Sequence, residues 1–251
     1  MQINMSKPPL SLFYLFLSLL LFSCDDNNSE KENTAEFLAY YNLTGTAQDS
    51  LQSDSTKINI TKFAGPDLVP SPSTIAVAPT GEVFVGVDMM GSLGKEQGKG
   101  SIIKLVDSDN NGNADQHTEF VKVNNPRGII PLGDQLFVLH ATFSEETEKA
   151  TGMNLVVFED KDQDGIADGP SKPLIENIST PKFLRERGVD HATNGIRMGI
   201  DGWIYIAVGD FGFHNAVDRS GKELTMLGGG IVRVRPDGTE MEVYTWYTKH
   251  I

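Results

Sequence analysis

The sequence predicts an all-β fold, a β-propeller of which about three to four blades are present. Two equal intervals carry that prediction. The acidic run at residues 107–115 is matched 53 residues later by residues 160–168, and the apolar strand around Phe84 is matched at the same interval by the strand around Phe137. An interval shared by a loop and a strand marks a repeated structural unit. From Pro70 onward, short apolar runs alternate with turn residues and no amphipathic helical stretch intervenes. Units of roughly 50–60 residues with about four strands each are the size of propeller blades, whereas a β-helix repeats faster and a sandwich shows no internal copying.

Residues 10–22 form a nearly unbroken apolar run after Lys7. The run is too short for the roughly 20 residues that span a bilayer and reads as an export signal. Ser23 then precedes Cys24, the only cysteine of the chain, in the pattern of a lipobox. The expected organisation is a lipoprotein signal peptide over residues 1–23, a mobile tether over 24–65, poor in apolar residues, and a partial propeller over 66–251. Lipidation of Cys24 would anchor the chain to a bacterial envelope membrane without crossing it. With that thiol used, disulfides, zinc thiolate sites and covalent haem attachment are excluded from the mature chain. The formal net charge of −13 argues against nucleic acid and anionic membrane surfaces as partners and agrees with bound divalent cations.

The first unit reads as strands at residues 74–78, 83–85 and 102–105, with a turn at Pro79-Thr80-Gly81. The second has strands at 128–130, 136–139 and 154–157 around a turn at Gly133-Asp134. The third runs through 195–198, 203–208 and 230–234, and Asp237-Gly238 then signals a hairpin into the alternating residues 241–244. Propellers close with roughly 4–8 blades, so the chain is expected to be the front part of a longer protein.

Oxygen ligands at loop positions 1, 3, 5 and 9, with glycine at 6 for the sharp turn, suit a hard cation such as Ca2+. Asp160, Asp162, Asp164 and Asp168 meet this pattern around Gly165, with the Ile166 carbonyl as a further ligand. Asp107, Asp109, Asn111 and Asp115 meet it around Gly112 with one neutral amide, which predicts weaker binding. Thr118 and Ser171 stand where an EF-hand carries its bidentate Glu. These are therefore calcium loops between strands, expected to pin the connection between blades; an unoccupied acidic turn is the alternative.

In the third unit His191 precedes the first strand and Asp210 follows the second. A hairpin sets those ends side by side, and an imidazole paired with a carboxylate is a general base held in one tautomer. Structural hydrogen bonding is the alternative. Arg197 either points into a central channel or pairs with Asp201, His214 lies in a glycine-rich loop beside Asp210, and Trp203 and Trp246 are expected in the core between blades.

The run His191, Gly199-Ile200-Asp201-Gly202, Ile204-Tyr205 and Gly209-Asp210 resembles the signature of the glucose/sorbosone dehydrogenase family, six-bladed quinoprotein propellers of the soluble aldose dehydrogenase type. The resemblance implies that His191 takes the proton of a sugar C1 hydroxyl while hydride passes to pyrroloquinoline quinone, and that Asp210 orients the histidine. The acidic insertions are more similar to an exported, lipid-anchored branch often joined to a cytochrome c or haem-binding domain. Where that family has a Gly-x-Arg-Asn-Pro-like segment, this chain reads Trp246-Tyr247-Thr248-Lys249-His250-Ile251, so the chain alone is not expected to hold the quinone tightly or turn over. The competing expectation is a non-catalytic, calcium-stabilised propeller that binds a glycan or an envelope protein.

Overall fold

The computed structural model describes residues 60–91 and 96–246. The export signal, Cys24, nearly all of the tether and residues 247–251 lie outside them. The chain divides into two units, 1–62 and 63–251, and nearly all the described residues belong to the second. No helix among them is long and apolar enough to cross a membrane.

Three antiparallel sheets follow one another. The first is β1 (Pro72–Val77), β2 (Val83–Asp88), β3 (Gly100–Val106) and β4 (Gln116–Lys122), in that order. The second is β5 (Asn124–Leu132), β6 (Gln135–Phe143), β7 (Ala150–Glu159) and β8 (Lys172–Ile178), and the third pairs β9 (Thr193–Met198), β10 (Ile204–Val208), β13 (Gly230–Val234) and β14 (Glu242–Trp246). The first strands of the sheets, β1, β5 and β9, pack beside one another, as the inner strands of successive blades do. This is an all-β propeller arrangement with three blades described.

Period-two alternation explains how the blades stack. In β2, Val83, Val85 and Val87 face one apolar cluster while Phe84 faces another. In β6, Leu136 and Val138 point toward blade one, whereas Phe137, Leu139 and Ala141 point toward blade three. Both faces of a central blade are thus covered, which is why these strands read as continuous apolar runs rather than as alternating ones. Each such side chain contributes about 1.5–3 kcal/mol on burial.

Phe63 and Ala64, within the stretch read as tether, pack against the face of blade one formed by Val83, Val85 and Ile103. Two further features differ from the sequence expectation. A seven-residue helix, α1 (Pro181–Arg187), stands between β8 and β9, started by a proline and stopped by Gly188 at φ 87°. A hairpin, β11 (Phe213–Asp218) and β12 (Glu223–Met226), interrupts blade three and joins the edge of blade two through β8, so that sheet has six strands. His214 therefore lies on a strand, exposed, and not in a loop. Trp203 is buried as expected, but Trp246 is 58% exposed, its indole N–H donating to the Leu227 carbonyl.

Candidate functional site

The β9–β10 hairpin pairs Thr193 with Val208 at its open end, which leaves His191 and Asp210 side by side. His191 Nδ1 lies 2.9 Å from Asp210 Oδ1. Since a carboxylate can only accept, Nδ1 carries the proton and Nε2 is left as the basic nitrogen. Gly209 makes the approach possible: its amide donates to the Ala192 carbonyl at 2.8 Å, and a Cβ there would stand 2.3 Å from that oxygen. The His191 side chain is 44% exposed, open to a ligand.

Helix α1 and the residue after Asp210 complete the surroundings. Phe211 stacks on the His191 ring at 5.9 Å. From α1, Phe183 packs on Phe211 at 5.2 Å, and Arg187 lies over the same ring with Nη1 4.0 Å from Asp210 Oδ2. Phe183 and Arg187 are four residues apart and so share one helix face. Sequence reading missed both, although Thr180-Pro181 and Gly188 were the available signs of a short helix. Arg197 does not pair with Asp201, whose carboxylate accepts from Tyr205 Oη at 2.7 Å and faces Arg233 at 3.8 Å; Arg197 instead bonds the Ile196 carbonyl.

A buried polar cluster occupies the same end of the inner strands. Asp88, at the end of β2, is fully buried and accepts from Asn125 Nδ2 at 2.9 Å and Arg127 Nη2 at 3.1 Å. Arg127 also donates to the Gly91 carbonyl at 2.8 Å. Burial pulls the Arg127 guanidinium below its ordinary pKa, opposed by the carboxylates of Asp88 and Asp190. Asp190 is the neighbour of His191 in sequence, so the cluster and the pair lie near one another.

The acidic loops sit at the opposite end of the sheets. They join β3 to β4 and β7 to β8, so each lies between two strands of one blade. The second loop also reaches the preceding blade, because Ala167 N donates to the Phe120 carbonyl at 3.0 Å and Lys104 Nζ lies 4.0 Å from Asp160 Oδ2. The two loops repeat in conformation: Asn110 and Gln163 have φ 56° and 60°, and Gly112 and Gly165 have 90° and 89°.

Carboxylate oxygens of Asp107, Asp109 and Asp115 converge in the first loop, and those of Asp160, Asp162 and Asp164 in the second, each set within 4.8 Å, so both groups could hold a metal ion. Asp168 is not drawn into the second set; it accepts from the Lys161 amide at 2.5 Å. The Asn111 side-chain oxygen accepts from Asn113. Asp160 Oδ1 is buried without a partner. Desolvation raises the Asp160 pKa, with Lys104 opposing.

Pyrroloquinoline quinone is a polyanion and requires uncommitted cations. Arg187 faces the carboxylate of Asp210 and Arg127 that of Asp88, so the described groups around His191 do not by themselves form a quinone site. They form a hydrogen-bonded histidine–carboxylate pair.

Fold and site together define a β-propeller with metal-competent loops at one end of its blades and a histidine–aspartate pair at the other. Residues 46–250 match the family described as "Domain of unknown function (DUF7133)", and the chain belongs to it. No curated protein matches the chain. Among solved structures it is similar to a Thermus thermophilus protein assigned as an oxidoreductase (glucose dehydrogenase), at 16% identity and TM-score 0.43, over 68% of this chain and 46% of that one. It is also similar to the calcium-binding protein regucalcin of Agrobacterium tumefaciens, at 16% identity and TM-score 0.42, over 72% and 54%. A third, assigned as a gluconolactonase, has 16% identity and TM-score 0.39, over 73% and 57%. The chain spans about half the length of these solved structures.

Proposed function

We propose that this propeller supplies the proton-transfer half of an aldose dehydrogenase-like site, with His191 as base and Asp210 as the group that orients it. The observation that carries this reading is the 2.9 Å contact of His191 Nδ1 with Asp210 Oδ1, which leaves Nε2 free to accept a hydroxyl proton. Phe211 beneath the ring and Gly209 behind it hold that geometry. Oxidation of an aldose at C1 also requires a two-electron acceptor, and the resemblance of the third unit to quinoprotein sequences makes pyrroloquinoline quinone the expected one. Export, a lipid anchor at Cys24, residence at the bacterial envelope and a cytochrome c or haem-domain partner belong to the same proposal. The loops are proposed as Ca2+ sites that stabilise the blades, remote from the chemistry.

A second reading, a non-catalytic calcium-stabilised propeller that binds a glycan or envelope protein, is favoured by the unpartnered Asp160 oxygen in a loop far from His191. The deciding experiment is aldose-dependent dye reduction with Ca2+ and quinone added, on the full coding product of the gene. A positioned general base contributes about 10²–10⁴-fold, so His191→Ala should lose at least a hundredfold in kcat. Equal rates in variant and wild type would remove His191 from the mechanism and leave the binding reading.

A further inference from the structure

Lys104 stands on β3 directly opposite Phe84 of β2 and Thr118 of β4, on the face of blade one that meets blade two. The second acidic loop faces it across the blade boundary. A cleft of about 540 Å³ opens there, with Glu82, Phe84, Lys104, Phe120, Asp134 and Asp160 among its walls. The Lys104 side chain is 16% exposed and that of Asp160 10%. A carboxylate so buried needs a paired charge, and Lys104 supplies it. The pairing is loose, however. Lys104 Nζ is 4.0 Å from Asp160 Oδ2, well beyond the roughly 2.7–2.9 Å of a charge-assisted hydrogen bond. Oδ2 instead accepts from the Gly165 amide at 3.1 Å, and Oδ1 has no partner.

Gly165 lets the loop lie on the lysine: a Cβ there would stand 3.4 Å from Lys104 Cδ and 3.7 Å from Nζ. The ammonium therefore sits against the loop in which oxygens of Asp160, Asp162 and Asp164 converge within 4.8 Å. A divalent ion among three carboxylates, with Lys104 beside them, would bring the charge to zero. The two cations would nonetheless compete for Asp160, and like charges at one partly buried carboxylate repel strongly.

Lys104 has a second acceptor within reach. Glu82 precedes Phe84 by two residues, so it shares the same face of blade one and lies diagonal to Lys104, at roughly the 7–8 Å of such neighbours. Its Oε2 accepts from the Thr80 hydroxyl. That hydroxyl chiefly, and Lys104 more weakly, hold the Glu82 carboxyl below its ordinary pKa against the effect of burial. Glu82 and Asp160 both border the cleft, so the ammonium can pass from one to the other without crossing packed side chains. We infer that Lys104 is the resident cation of the second loop, and that a divalent ion bound by Asp160, Asp162 and Asp164 displaces it across the cleft to Glu82. Ion binding is thereby weakened by a competitor built into the neighbouring blade and linked to the turn before β2. This deepens the proposed function by regulating one of its Ca2+ loops, and rests on that reading of the loop.

The test is calorimetric binding of CaCl2 to the full chain after chelator treatment, in an Asp107→Asn/Asp109→Asn background that silences the first loop. Methionine keeps the aliphatic stem of lysine beside Phe84 and Phe120 without the charge. Lys104→Met should lower the Ca2+ Kd at least fivefold, while its Tm in chelator falls because Asp160 loses its counter-charge. Glu82→Gln, on a half-buried side chain at the cleft wall, should act in the opposite sense and raise Kd at least threefold. In the Lys104→Met background, Glu82→Gln should change Kd less than twofold. A lower Tm with unchanged Kd in Lys104→Met would make Lys104 a structural prop and overturn the inference while leaving the Ca2+ loop standing. Additive effects of the two substitutions would overturn the transfer to Glu82. No saturable Ca2+ binding in either wild type or Lys104→Met would remove the Ca2+ loop itself, and this inference with it. Binding that appears only in Lys104→Met would uphold the resident cation.

Discussion

The amide of Ala167 donates to the carbonyl of Phe120 at 3.0 Å, and Ala114, 53 residues earlier, makes the same kind of bond to the Phe63 carbonyl at 2.8 Å. Each acidic loop is thus stitched at its eighth residue to the segment packed before its own blade. A cation drawing the carboxylates together should tighten that stitch. At a hundredfold excess over Kd, Ca2+ should stabilise the fold by about 2.7 kcal/mol per site, a Tm rise of roughly 5–10 °C for a domain of this size. The second loop should dominate, because Asp160 Oδ1 has no other partner whereas both oxygens of Asp107 accept from Asn111 and Gly112 amides. Asp160→Asn should therefore abolish more of the Ca2+-dependent shift than Asp107→Asn. Melting curves with Ca2+ and with chelator, showing no difference in any variant, would sink the assignment.

The close approach at Gly209 predicts a second outcome. A methyl group there would meet the carbonyl oxygens of Ala192 and His191 at 2.3 and 2.4 Å, so the loop carrying the base must move. Gly209→Ala should cost about 1–3 kcal/mol of stability, the usual penalty of overpacking, read as a lower urea midpoint. It should also shift the His191 ring resonances in an NMR titration. An unchanged midpoint and unchanged resonances would show that the backbone gives way without disturbing the pair.

The parts of this structure that were legible in sequence are those set by neighbours along the chain. Strand β10 follows β9 across a turn at Asp201-Gly202, so the meeting of His191 and Asp210 followed from spacing. The repeat from Phe84 to Phe137 revealed blades because each needs the same alternation to cover both faces. The polar strands β4 and β8 carry weaker apolar patterns. Contacts between blades were not readable: Arg127 meets Asp88 across 39 residues, and no local pattern announces that pairing. The β11–β12 hairpin was hidden for a similar reason. Ser220-Gly221 marks its turn, with Gly221 at φ 84°, yet its membership of blade two depends on Val217 and Asp218 pairing with Glu176 and Ile175 of β8.

The buried ion pair between Asp88 and Arg127 yields a prediction about stability. Removing one partner of a buried pair leaves an uncompensated charge and costs about 3–5 kcal/mol. Asp88→Ala should lose that much, since it also strands Asn125 Nδ2 and the Met90 amide that Asp88 Oδ1 accepts at 3.0 Å. Asp88→Asn keeps two acceptor contacts within reach and should lose less. Chemical denaturation of the two variants checks the order, and equal losses would mean that shape, not charge, sets the role of Asp88.

Asp218 joins blade two to blade three and makes the fold sensitive to acid. Its Oδ1 accepts from the Ser220 amide and hydroxyl and the Lys222 amide, and its Oδ2 from the Met241 amide at 3.1 Å. Burial alone would raise its pKa, but the Ser220 hydroxyl and the amides of Met241, Lys222 and Ser220 outweigh that and hold it below the usual aspartate value. For an acid whose folded pKa is depressed, the unfolded chain binds the proton first as pH falls. The stabilisation from Asp218 is therefore complete above its unfolded value, near 4, and is lost as pH drops below that through the folded pKa. Asp218→Asn, which cannot ionise, should be less stable than wild type by about 1.5–3 kcal/mol at pH 6, the range for hydrogen bonds to a charged acceptor. The gap in Tm between wild type and variant should close as pH is lowered from 5 toward 2. A gap that stays constant over that range would mean that the geometry of the four bonds, and not the charge of the carboxylate, holds the hairpin against blade three.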